Sequence, residues 1–90
     1  MISDSERGYL RTLGLRIRLL RTVRRLSQDQ LAQAAGVSRV TLGSIERGEH
    51  SSVLVTYVRL AATLGPRLPD LLDPDATDRD ILQLLANLRT

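Results

Sequence analysis

The side chains able to do chemistry in this 90-residue chain are mostly arginines. There is no Cys, which excludes disulfides and thiolate metal sites. A lone His50, with no second His and no carboxylate cluster, reads as a surface residue rather than a metal ligand. No Gly-rich phosphate loop or nucleophile–base signature is present. Neither enzyme activity, a metal nor a cofactor is therefore expected. All thirteen basic residues are Arg, and eight of them fall within residues 10–47 against only Asp29 and Glu46. Residues 51–90 hold four Arg against five Asp. Basic charge concentrated in one half suits a polyanion partner on one face, and it equally suits a solvated helix surface.

Composition narrows what can position those arginines. Aromatic content is 2%, so the core must come from Leu, Ile, Val and Ala, which favours helices. No apolar run approaches the roughly 18 residues of a membrane span, and MISDSERGY is too polar for a signal peptide. A soluble cytoplasmic protein of one small domain is expected, with no room for a separate effector-sensing domain.

Helical spacing puts Leu10, Leu13, Ile17 and Leu20 on one stripe of a helix over residues 10–24. Leu15 and Leu19 form a second face, so this helix expects two neighbours. Ser27 and Gln30 form a capping box that starts the next helix, which stops at Gly36. Ser38 caps a helix over residues 39–47 that ends at Gly48. Ser51 or Ser52 is expected to cap a fourth helix, ended by Gly65-Pro66. Residues 68–72 make about one turn. DPDAT is a break, and Thr77 starts a last helix with Ile81, Leu84, Leu85 and Leu88 on one stripe.

Two short helices, 28–35 and 39–47, joined by Gly36-Val37-Ser38 are a helix-turn-helix candidate. Ala32 allows close approach, Gly36 can turn left-handed, and Val37 can plug the elbow. LGLRIRLLRTVRRLSQDQLAQAAGVSRVTLGSIERGE, residues 13–49, resembles the helix-turn-helix of the Cro/C1-type (XRE) family of repressors. The resemblance continues through LAATLG (60–65) and LPDLL (68–72). Its most specific pieces are LSQDQLA, AAGVS and IERGE in register. It implies an all-α, five-helix lambda-repressor-like DNA-binding domain over residues 10–72, carrying an additional C-terminal helix. Residues 1–9 are then an N-terminal arm, and residues 73–90 a dimerisation or fold-back element.

The same resemblance makes residues 39–47 the recognition helix. Opposite Leu42 and Ile45 lie Val40, Gly43 and Arg47, with Arg39 and Ser44 on the flanks. Arg39 is placed for a bidentate contact to guanine and Val40 for a thymine methyl, while Ser44 suits either role and Thr41 is a weaker candidate. Gly43 is either tolerated drift on the surface or a means of letting the helix backbone sit close to the groove. Gln28, Ser38, Arg47 and Ser51 are the expected phosphate contacts, and Arg21–Glu46 the expected structural pair. The expected partners are double-stranded DNA and a second copy of the chain. The function implied is a sequence-specific transcriptional regulator, a repressor. The alternative is an antitoxin-type or adaptor protein that uses the fold mainly to bind a protein partner, a toxin or another regulator.

Overall fold

A computed structural model describes residues 1–49 and 51–88, excluding the side chains of Asp78, Leu84, Leu85, Asn87 and Leu88. His50 lies outside the described residues. The described chain is all-helical: α1 (Asp4–Val23), α2 (Gln28–Ala35), α3 (Arg39–Glu46), α4 (Leu54–Leu64), α5 (Leu68–Leu72) and α6 (Asp78–Leu88).

Residues 4–9 are not an arm. Ser3 and Glu6 form a capping box: the Glu6 N–H donates to Ser3 Oγ (3.2 Å) and the Ser3 N–H to the Glu6 carboxylate (2.8 Å). Those hydrogen bonds hold the Glu6 carboxyl below its ordinary pKa. Tyr9 then packs against the core, and its hydroxyl donates to the Leu72 carbonyl. A good N-cap plus one anchored ring extends the helix six residues beyond the point where its apolar periodicity begins.

Three helix ends share one chemistry. After α1, α2 and α3, the residues Arg25 (φ 59°), Gly36 (φ 70°) and Gly48 (φ 69°) turn left-handed. In each, the next N–H reaches back five residues to a helix carbonyl: Leu26 to Arg21, Val37 to Ala32, and Glu49 to Ser44, at 3.0–3.1 Å. Arg25 is the only non-glycine of the three and carries the Cβ strain of that conformation. Arg25→Gly is expected to stabilise the fold by about 1 kcal/mol. Thermal melting should show a rise of about 4–8 °C; no rise would mean that the Arg25 side chain contributes as much as the strain costs.

α2 opens with the Ser27–Gln30 capping box (3.0 and 2.8 Å). α4 departs from expectation, because its N-cap is Val53 and neither Ser51 nor Ser52 caps it. The Ser52 hydroxyl is engaged by Thr56 Oγ1 (3.1 Å), and the Ser52 N–H donates to the Tyr57 hydroxyl (3.2 Å). α6 opens on a Thr77–Asp80 capping box (3.1 and 3.2 Å), which lowers the Asp80 pKa.

Leu13, Ile17 and Leu20 of α1 are buried, and the same core takes in Leu31, Leu42, Leu60, Leu64, Leu71 and Ile81. Ile81 is fully buried, so α6 folds back onto this core within one chain and packs on α1. On the second face of α1, Leu15 stays 58% exposed and Leu19 is half-buried. Leu84, Leu85 and Leu88 fall outside the described side chains. The connection to α6 is ordered by Arg16, which is wholly buried. Its Nη1 donates to the carbonyls of Leu71 (2.6 Å) and Asp73 (2.9 Å), and its Nη2 to that of Ala76 (3.0 Å).

Candidate nucleic-acid interface

α2 and α3 meet across the turn at Gly36. Ala32 and Ala35 are buried, Val37 is packed on the core, and Arg59 of α4 donates to the Gly36 carbonyl (3.3 Å). α3 is held from behind by Leu42 and Ile45, and also by its backbone. A Cβ on Gly14 would lie 2.3 Å from the Ile45 carbonyl oxygen and 2.7 Å from that of Glu46. One on Gly48 would lie 2.7 Å from the Arg11 Cα. The two glycines let α1 meet the end of α3 main chain to main chain. The one signal of Gly14 in the sequence is a glycine at the edge of an apolar helical stripe.

Around that contact the structure brings Arg21, Glu46 and Gln28 together. Arg21 makes a two-pronged pair with Glu46, Nε to Oε2 at 2.7 Å and Nη2 to Oε1 at 3.0 Å. Its Nη1 donates to the Leu26 carbonyl (2.8 Å). Gln28 Nε2 donates to Glu46 Oε1 (3.1 Å), tying the start of α2 to the end of α3. A cleft of about 280 Å³ opens beside this network, with Arg18 and Arg47 on its rim.

The basic face is narrower than the arginine count implied. Arg16 is buried and Arg21 is neutralised by Glu46, while Arg24 stays exposed with its Nε donating to the Leu64 carbonyl (2.6 Å). Arginine serves here as a fork for orphan carbonyls as well as a surface charge.

On the outward side of α3, Val40 is 76% exposed and Arg39 is exposed. Arg39 Nε pairs with Asp29 (2.8 Å), but both side chains stand in solvent, where such a pair is worth about 1 kcal/mol at most. Thr41 and Ser44 are half-buried, and Ser51 is exposed. The Ser38 hydroxyl accepts from the Thr41 N–H (3.3 Å) as the α3 cap.

Gly43 differs from expectation. It is buried, and a Cβ there would lie 3.1 Å from Nη1 of Arg47. The Arg47 guanidinium lies in the space that close approach of a groove would need. Arg47 is held there by Glu49, whose carboxylate accepts from its Nε and raises its pKa further.

No group of three His, Cys, Asp or Glu suited to a metal occurs among the described residues. No helix among them is long and apolar enough to cross a membrane.

Comparison with known proteins accords with this geometry. A family model described as a helix-turn-helix domain matches residues 12–73. Control protein C.SmaI of Serratia marcescens is 41% identical over 56 residues, which are 62% of this chain and 67% of that protein. The immunity repressor protein of Bacillus phage phi105 is 43% identical over 54 residues, 60% of this chain but only 38% of the repressor. The crystal structure of the restriction-modification controller protein C.AhdI from Aeromonas hydrophila superposes with a TM-score of 0.66 at 39% identity. That superposition covers 69% of this chain and 94% of C.AhdI. The chain therefore belongs to the helix-turn-helix family, among the Cro/C1-type (XRE) transcriptional regulators.

Proposed function

We propose that this protein is a sequence-reading regulator of transcription that lays α3 in the major groove of duplex DNA. The observation that carries the reading is the form of α3. Its rear is locked to α1 at Gly14, and its front presents Arg39, Val40 and Ser44. A rigidly held helix with a hydrogen-bonding outer face is what base readout requires. Arg39, at the helix start, takes guanine, Val40 a thymine methyl, and Ser44 and Thr41 short contacts to base edges. Gln28, Ser38 and Ser51 face the phosphates, helped by the free N–H groups at the starts of α2 and α3.

A second copy of the chain is the proposed partner, since two such units read half-sites about 34 Å apart. Val53, Leu54, Val55 and Val58 around the start of α4 are exposed, as is Leu82 of α6, and offer apolar surface for pairing. Occupying promoter DNA in this way makes the regulator a repressor, acting in the cytoplasm.

Selection of bound duplexes from a random pool, at near-physiological salt, tests the reading. The expected product is an inverted repeat with half-sites one helical turn apart. Affinity for it should fall linearly on a log–log plot against salt, with a slope of about −0.9 per phosphate contacted. Retention of DNA without enrichment of any sequence would sink base readout and leave backbone binding alone.

A further inference from the structure

Arg47 occupies a position that a simple phosphate contact does not need. Its Cα lies at the C-terminal end of α3, yet its side chain runs back along the helix and covers Gly43. Nη1 lies 3.1 Å from the point where any other residue's Cβ would be. Nη2 stands 3.5 Å from Ser44 Oγ, the long limit of a hydrogen bond. Nε is engaged by Glu49. The guanidinium therefore lies over Gly43 beside Ser44, on a side chain that is 60% exposed, and the N–H groups of Nη1 and Nη2 not used within the chain are left for a ligand.

We propose that Arg47 is a base-reading residue, seated on the side-chain-free position 43 and braced by Glu49 to present two N–H donors to a guanine. The proposal deepens the major-groove reading above and rests on it. Three features favour a base over a phosphate. First, guanine presents O6 and N7 as neighbouring acceptors, which one guanidinium edge matches in a bidentate pair. Second, such a pair needs an oriented guanidinium plane, and two contacts bias it, Glu49 on Nε and Ser44 on Nη2, the exposed ion pair adding about 1 kcal/mol at most; a phosphate is tolerant of approach. Third, the seat is costly: glycine inside a helix loses about 1 kcal/mol against alanine, and here it makes room for one side chain only. Arg39 then reads from the start of the helix and Arg47 from over position 43, which contributes no contact of its own.

The experiment is the duplex selection repeated with Arg47→Ala and Gly43→Ala, followed by titration of the selected site and its single-base variants at several salt concentrations. Circular dichroism checks that each variant folds. In Arg47→Ala, discrimination at one base pair of each half-site should collapse by about 10- to 100-fold, with the salt slope unchanged. Gly43→Ala keeps Arg47 but shifts its guanidinium by a few tenths of an ångström, since the new methyl would lie 3.1 Å from Nη1. It should melt no lower than wild type and lose preference at that same base pair. If Arg47→Ala instead weakens every duplex by one factor and makes the slope shallower by about 0.9, Arg47 is a phosphate contact and the proposal is overturned. A wild type that enriches no sequence overturns the major-groove reading itself, and this inference with it.

Discussion

Gly14→Ala is expected to cost about 3 kcal/mol or more and to lower the melting temperature by more than about 10 °C. Alanine is the better helix former by about 1 kcal/mol, so propensity alone predicts the opposite sign. The clash decides the outcome. The new methyl would sit 2.3 Å from the Ile45 carbonyl oxygen and 2.7 Å from that of Glu46, and both are main-chain atoms of α3. No rotamer relieves them. α3 must draw back from α1, which loosens Leu42 and Ile45 and lengthens the Arg21–Glu46 bonds behind it. Against a typical total of about 5–15 kcal/mol, that is a large fraction of the stability. Gly8 supplies the internal control. It lies in the same helix with open space around its Cβ position, so Gly8→Ala should stabilise by about 0.5–1 kcal/mol. Thermal melting of the two variants side by side is the measurement. A Gly14→Ala protein melting within about 2 °C of wild type would mean that α1 and α3 separate at little cost.

The contrast between those two glycines shows what the sequence could and could not reveal. Signals carried by neighbours along the chain were legible: the Ser27–Gln30 box, the left-handed Gly36, the Ser38 cap and the inward Leu42 and Ile45. Each needs only residues a few positions apart. Gly14 and Arg16 were not legible, because their meaning depends on main-chain atoms 31 and 55 residues away. A mid-helix glycine looks like a weakness until the carbonyls it admits are in place. Arg16 looks like surface charge until the carbonyls of the α5–α6 connection converge on it. The surroundings of position 43 were hidden for another reason. The helical wheel placed it on the outer face, but a wheel shows directions only. It cannot show that Arg47, one turn on, leans back to fill the vacancy, as helical side chains tend to do. The start of α1 was not legible because Ser3–Glu6 lies outside the apolar stripe.

Arg16→Leu should release α6 while leaving α2 and α3 in place. Leucine removes a buried charge, which alone is often neutral or favourable. The guanidinium has an unmatched Nε among the described residues, and its removal helps further. Against that stand three carbonyls, of Leu71, Asp73 and Ala76, each bonded to a cation at 2.6–3.0 Å. Hydrogen bonds to a charged donor are worth about 1.5–3 kcal/mol each. Asp73 is exposed and Ala76 half-buried, so water replaces part of what they lose. Leu71 is buried and recovers least. The balance is a loss of about 3 kcal/mol, concentrated where the connection to α6 is held. Hydrogen exchange should therefore quicken first in α6, with α2 and α3 protected longest. Arg16→Lys separates charge from shape. A lysine keeps the charge but offers a compact head with no planar fork to span three carbonyls, so it should be no more stable than the leucine variant. Rescue by lysine would mean that the field of a buried cation, and not the fork, holds the connection. In neither variant should the salt slope of DNA binding change, since Arg16 is 0% exposed and contacts no phosphate. A shallower slope would show that the arginine count read from the sequence was, at this position, a count of DNA contacts after all.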